Sequence, residues 1–381
     1  MSASVSVLRE SPASLPISSN GQKHSPANRG ANAEPWEWAK LRKIALHQMD
    51  KFIDLFPLVL RNEDLTAVNL MRITCRRLEQ ILELVYAEPR PRHIKKLRKR
   101  LKLCRRTLGR LRDCDALLAV AEHSIAAKRT DNDAWEILRQ YLHSLRRRTA
   151  NNALKRLGRV NLAVPYLRVK RDFDLDSNAS RNGNARATAS RNATEIVYKR
   201  ILRSLDGRWC EFAVAVEKSH TDPCEHVIHR MRIAAKRLRY LTEVMVKLHI
   251  EGSKDALTWL KSLQRTVGVW HDLEIMERLL RNILAHRKFF HIERLSERHI
   301  ENLIRHNRVT KKESAARFFA MTRHSREYLE VKKWVSGVMA GSVVKSSHQT
   351  RSSVVLLGAP EMQSNPTAWD CTPKPSVLKT I

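Results

Sequence analysis

Apolar residues recur at helical spacing along most of this chain. Leu97, Leu101, Cys104, Leu108 and Leu111 fall on one face; Met231, Ala234, Ala235, Leu238 and Leu241 do the same farther on, as do Met71, Leu78 and Leu82. A repeat at i, i+3, i+4 and i+7 marks the buried stripe of an amphipathic helix. The pattern predicts helices from about Trp36 to Asp174 and again from about Ala193 to Ala340. Residues 1–34, rich in Ser, Asn, Pro and Gly without apolar period, are expected to form a disordered N-terminal tail. The stretch 177–192, written SNASRNGNARATASRN, has almost nothing to bury and is expected to be a linker, and 341–381 a flexible C-terminal tail. The expected folded part, 35–340, thus consists of two helical halves, about 36–176 and about 193–340.

The halves repeat one another. At a shift of 160 residues, Asn69-Leu-Met-Arg-Ile-Thr-Cys-Arg-Arg-Leu78 lies over His229-Arg-Met-Arg-Ile-Ala-Ala-Lys-Arg-Leu238. At a shift of 159, Arg106-Thr-Leu-Gly-Arg-Leu-Arg-Asp-Cys-Asp115 lies over Arg265-Thr-Val-Gly-Val-Trp-His-Asp-Leu-Glu274. So small a slip over so long a stretch implies two copies of one helical unit, and such copies usually pack about a pseudo-twofold axis.

Composition narrows the chemistry. The 381 residues include 71 Lys+Arg against 39 Asp+Glu, a net charge of +32, so the partner is expected to be anionic. With 11 Gly and 13 Pro, the chain lacks the frequent turns of a β-sandwich or barrel, and it contains neither glycine-rich phosphate motif. Any phosphate must therefore be held by side chains. The six cysteines are widely spaced, with no Cys-x-x-Cys and no Cys/His pair at the usual zinc-ligand spacing, and read as reduced, mostly core thiols. No apolar run is long enough to span a membrane and no secretory signal opens the chain, which predicts a cytoplasmic protein.

The charge is organised. On a helix, His229, Arg232, Lys236 and Arg239 fall within an arc of about 80° beside the apolar face, while Arg230 and Arg237 point away. The first half repeats the stripe with Arg72 and Arg76 but has Asn69 where the second half has His229, and Glu79 where it has Arg239. A single cationic stripe is ordinarily a solvated helix face. Recurrence at one register in both halves favours an anion, because like charges one turn apart repel. The segment 90–112 adds twelve Lys/Arg and no acid.

Other candidate chemistry is thinner. Asp113 and Asp272 each follow a glycine by four residues and are expected to orient an arginine of the stripe helix or cap a helix. The pair His271-Asp272 superficially resembles metal phosphohydrolases of the HD type, but the matching Arg112-Asp113 cannot bind metal in the same way. His286, His291, His299 and His306 are scattered over several faces. No nucleophile arrangement is supported by spacing, and the sequence predicts no enzyme activity, metal or cofactor, and specifies no oligomeric state.

Taken together, the His-x-Met-Arg-Ile-x-x-Lys-Arg-Leu-Arg-Tyr run at His229–Tyr240 with Gly-x-x-His-Asp-Leu at Gly268–Leu273 resembles the second repeat of a CHAD domain, the conserved histidine α-helical domain. Met-Arg-Ile-x-x-Arg-Arg-Leu at Met71–Leu78 with Leu-Gly-x-x-Arg-Asp-x-Asp at Leu108–Asp115 is similar to the first. The likeness covers about residues 36–340. It implies an all-α fold of two pseudo-symmetric helical bundles around a basic central cleft or pore, binding of inorganic polyphosphate, and association with polyphosphate granules. Family members are often fused to a CYTH-type triphosphate tunnel enzyme, whose Glu-x-Glu-x-Lys pattern is missing here, so the resemblance implies a binder rather than a hydrolase. Asn69 departs from the histidine usual in the first repeat and predicts weaker binding in that half.

The expected polyphosphate site is lined by His229, Arg232, Lys236, Arg239, Arg72 and Arg76, with Arg77, Arg237 and Lys261 as further contacts. Lys99, Lys102 and Arg106 extend its field, and Asn69, Asp113 and Asp272 shape and orient it. The rival reading is a basic helical protein that binds RNA or DNA. It lacks aromatics interleaved with the cations for base stacking, although weak non-specific nucleic-acid binding is expected from charge alone.

Overall fold

The computed structural model describes residues 36–349 apart from 63–64, 128–131, 161–162, 180–183 and 286–295. Every element among the described residues is helical: α1 (Trp36–Arg61), α2 (Leu65–Val85), α3 (Arg92–Thr107), α4 (Gly109–Ala126), α5 (Asn132–Gly158), α6 (Ala163–Ala179), α7 (Asn184–Thr221), α8 (Glu225–Lys247), α9 (Ser253–Ala285), α10 (Glu297–Ala320) and α11 (Arg326–Gln349). The ends recur at the offsets seen in the sequence. α1 and α7 end at 61 and 221, α2 and α8 begin at 65 and 225, each 160 apart, and α4 and α9 end at 126 and 285, 159 apart.

The segments expected to be unstructured differ from the helices found. α6 runs to Ala179 and α7 starts at Asn184, so helix occupies both sides of the expected linker, and 180–183 lie outside the described residues. Propagating a helix from a buried segment such as Val197–Val216 costs far less than nucleating one, so a weakly apolar stretch can continue it. For the same reason α11 continues past Ala340 to Gln349. The expected N-terminal tail lies outside the described residues, as does the rest of the C-terminal one.

Two apolar clusters organise the packing. The larger draws on all eleven helices, and includes Met71, Cys75 and Leu78 of α2 together with Met231, Ala235 and Leu238 of α8, all 1% exposed or less. The smaller joins α4 and α5 to the second half of α9 and to α10 through Leu118, Trp135, Leu138, Met276, Leu280 and Leu303. α9 therefore ties the two clusters together. Within the larger one, Phe212 stands among Trp209, Trp259 and Tyr328 at ring-centroid distances of 5.8, 5.9 and 6.3 Å. Such tilted and edge-on contacts add to the area the rings bury.

Local chemistry sets the element ends. The last carbonyls of α2, Leu84 and Val85, accept hydrogen bonds from Arg200 of α7. Between α8 and α9, Gly252 takes φ +71°, and a side chain there would meet the Trp334 ring, whose Nε1 donates to the Glu251 carbonyl. Leu108 alone separates α3 from α4, whereas α9 crosses the matching residues unbroken. Neither Gly109 nor Gly268 has a neighbour that a Cβ would touch. Among the cysteines, Cys75, Cys104 and Cys114 are buried thiols, Cys210 is exposed and Cys224 is half-buried.

Truncating the aromatic centre should be costly. Phe212→Ala is expected to lower the unfolding free energy by about 3–5 kcal/mol, whereas Val214→Ala, two residues along and 68% exposed, should stay within about 0.5 kcal/mol of the parent. Denaturant unfolding of the two variants checks this, and equal losses would contradict the assignment of the core.

Candidate anion-binding site

Burial of one face of α2 and one face of α8 fixes the direction of everything else on them. With Met71, Cys75 and Leu78 turned into the core, Arg72 and Arg76 come to one edge of α2, and burial of Met231, Ala234, Ala235 and Leu238 brings His229, Arg232 and Lys236 to one edge of α8. α2 packs against α8 and α4, and α9 packs against α8 and α4. The four helices therefore close around the two stripes. α4 contributes Arg112 and Asp113, and α9 contributes His271 and Asp272.

The cations meet few carboxylates. Arg112 makes a bidentate pair with Asp272, at 2.8 Å from Nη1 to Oδ1 and 3.2 Å from Nη2 to Oδ2. Its Nη1 is 3.9 Å from Asp113 Oδ1. Arg72 donates to the backbone carbonyls of Leu108 (3.4 Å) and Gly109 (3.2 Å), which spends its guanidinium on the α3–α4 junction. Arg232 is 7% exposed, its Nε is buried and unbonded, and it forms no hydrogen bond or ion pair among the described residues. Lys236 and Arg76, both half-buried, likewise have none. Buried charge without a partner is expensive, by several kcal/mol per ion even after relaxation.

The protonation of the site reflects that imbalance. Desolvation, only partly offset by Asp272, with Arg112 and Arg76 adding repulsion, brings Arg232 down to about 10. Arg72 is also brought to about 10 by burial, against the pull of Asp113. Burial and the charges of Arg232, Arg76, Arg112 and Arg72 hold the Lys236 ammonium well below the usual lysine range. Burial, then Arg232, His229 and Lys236, push His271 down to about 2, so its ring is neutral. Its centroid lies 5.3 Å from that of His229, which is lowered by desolvation and by Arg232, Lys236 and Arg278. Arg112 moves the other way: burial opposes its charge, but the Asp272 hydrogen bonds and charge outweigh it. Burial raises the Asp113 carboxyl against the pull of Arg72 and Arg112.

The structure divides the residues singled out from the sequence. Arg72, Arg76, His229, Arg232, Lys236, Asp113 and Asp272 come together. Arg77 instead pairs with Glu243 at 2.7 Å, and Arg239 reaches the same carboxylate at 3.2 Å while stacking 4.6 Å over Tyr240. Arg77 and Lys261 line a separate cavity of about 220 Å³ with Gln48, Glu243 and Lys247. Arg237 pairs with Glu211 of α7 on the far side of α8. Asn69 is exposed on α2, and Lys99, Lys102 and Arg106 are exposed on α3. The arginine that Asp272 holds comes from α4 rather than from a stripe helix, which corrects the expected pairing. Arg112 and His271 were not counted among the binding residues, yet both face the cluster; the signal was their superposition at the 159 shift.

The family model described as CHAD domain matches residues 43–281, well over half of the chain. The chain belongs to the CHAD domain family. The match spans the α2 and α8 stripes and both Arg112-Asp113 and His271-Asp272. The crystal structure of the CHAD domain from the plant Ricinus communis is similar at 19% identity, covering 80% of this chain and 90% of that one, with a TM-score of 0.48. No match was found among curated proteins. In this CHAD protein no helix among the described residues is long and apolar enough to cross a membrane.

The neutral His271 generates a pH prediction. An unfolded histidine takes a proton near about pH 6.5, but the folded one resists it down to about 2. The unfolded state therefore binds the extra proton between these values, and the stability that His271 contributes is complete above about pH 6.5 and erodes as pH falls through that window. The fall in melting temperature from about pH 7 to about pH 5 should be shallower in His271→Gln than in the parent. An identical slope would show that His271 is not held neutral.

Proposed function

We propose that this CHAD protein is a non-catalytic receptor for inorganic polyphosphate, held where α2, α4, α8 and α9 meet. In this reading the halves of 35–340 are pseudo-symmetric copies that each offer a cationic helix edge to one basic cleft. The observation that supports it is the set Arg76, Arg232 and Lys236, desolvated cations with no carboxylate of their own. Polyphosphate carries about one negative charge per residue and has no bases to read, so rigidly placed cations are what it requires. Arginine forks onto pairs of phosphate oxygens and lysine acts as a point charge. The described Trp and Phe contacts gather mainly in the core around Phe212, and the described ring contact within the cleft is between two histidines, which favours a ligand without bases to stack. No step of bond-making is assigned to the site. A cytoplasmic protein that attaches to polyphosphate granules through this cleft is the role that follows.

A competition titration tests the reading. At about 0.2 M salt, where counterion release has weakened non-specific binding, labelled polyphosphate is displaced by unlabelled polyphosphate, single-stranded RNA or duplex DNA at matched phosphate concentration. Polyphosphate should compete at least about tenfold better, a difference of about 1.4 kcal/mol. The double variant Arg232→Glu/Lys236→Glu should lose binding while keeping its helical signal. Equal competition by RNA or DNA would move the nucleic-acid reading forward, and unchanged affinity in the double variant would remove the site assignment.

A further inference from the structure

The turn between α7 and α8 gathers three ligand groups that the cleft does not use. Asp222, Cys224 and His226 place a carboxylate oxygen, a thiol sulfur and an imidazole nitrogen within 4.8 Å of one another. Cys224 Sγ is 3.1 Å from His226 Nδ1. Among the described residues the Asp222 side chain has no hydrogen bond or ion pair, and the His226 ring has only the Cys224 sulfur. Asp-x-Cys-x-His matches no common zinc-finger spacing; the turn, rather than the spacing, brings the donors together.

The backbone holds the turn at both ends. The Asp222 amide donates to the Lys218 carbonyl at the end of α7 (2.9 Å), and the Cys224 carbonyl accepts from the Val227 and Ile228 amides at the start of α8 (3.1 Å each). Pro223 between them fixes its own φ. A capping role does not account for the side chains. Cys224 is the N-cap residue but makes no side-chain cap hydrogen bond, and the first-turn acid of α8, Glu225, is paired with Arg278.

We propose that Asp222, Cys224 and His226 form a surface site for a divalent cation of the zinc type, with the fourth position open. The donor set decides the metal class. Sulfur and imidazole suit zinc and its neighbours, whereas magnesium and calcium require oxygen. Three protein ligands with one open position is the usual arrangement of a non-structural zinc site. Metal–ligand bonds of about 2.0–2.3 Å set tetrahedral donors about 3.5 Å apart, so side-chain rotation of about 1 Å closes the cluster. Binding displaces the thiol proton, since the thiolate is the ligand. His226 lies one helical turn before His229 on α8, so the ion sits at the end of the stripe helix, but the site requires nothing of the cleft.

Cobalt(II) titration of the full, reduced chain without polyanion tests the proposal. One equivalent should bind with a thiolate-to-cobalt charge-transfer band in the near ultraviolet, and zinc should displace it. Cys224→Ser should remove the band, and Cys210→Ser, which alters the exposed thiol of α7, should keep it. His226→Gln should weaken binding by more than the roughly tenfold that loss of an outer-sphere partner costs. Circular dichroism on each variant verifies that the helices persist. Failure to take up cobalt, uptake without the band, or a band that survives Cys224→Ser overturns the site and leaves the polyphosphate reading untouched.

Discussion

Arg72, Arg76, Arg232 and Lys236 are held near one another because the apolar faces of α2 and α8 are both buried in the larger core, which fixes the direction of their charged edges. Met71, Cys75 and Leu78 of α2 and Met231, Ala235 and Leu238 of α8 are all 1% exposed or less, so neither helix can turn its cations away without exposing its core face. The rest of the structure offsets the repulsion. α1 and α7 back the two stripe helices with apolar surface, and α4 and α9 bring Asp113 and Asp272. Those carboxylates are already engaged, Asp272 by Arg112 in a bidentate pair, so the edge keeps an excess of positive charge.

The two halves solve this problem differently although their helices superpose. In the second half the stripe is His229, Arg232, Lys236 and Arg239, opposed at its far end by Glu243. In the first half Glu79 replaces the last cation and comes within 3.6 Å of Arg105 of α3. Across the α4–α9 contact, Arg112 stands in the register of His271, so the first half supplies a permanent cation where the second supplies a neutral imidazole. Arg112, although committed to Asp272, adds to the positive field felt by Arg232 and Lys236.

Much of this was legible in the sequence, for a physical reason. Helical period and apolar phase are local properties, so the stripe, its core face and the repeat could be read from residues a few positions apart. Which arginines remain available for an anion could not, because that depends on partners distant in sequence. Glu243 takes Arg77 from 166 residues away, and Glu211 on α7 takes Arg237. The Arg112–Asp272 bridge, 160 residues long, is of the same kind. Around 177–192 the described ends of α6 and α7 are helical, because composition describes what a segment can bury, but not whether a neighbouring helix will extend into it. The Asp222–His226 cluster escaped because it is made by a turn conformation, which composition does not encode.

Arg76, Arg232 and Lys236 are desolvated cations with no hydrogen bond or ion pair among the described residues, and the proposed function rests on that imbalance. Lys236→Met tests it most directly, since methionine keeps much of the side-chain volume and removes the charge. In the absence of any polyanion, the account predicts that the melting temperature of Lys236→Met exceeds that of the parent, because repulsion with Arg232, Arg76, Arg112 and Arg72 is relieved. A lower melting temperature would mean that Lys236 is paired within the fold and that the edge is balanced by the protein itself.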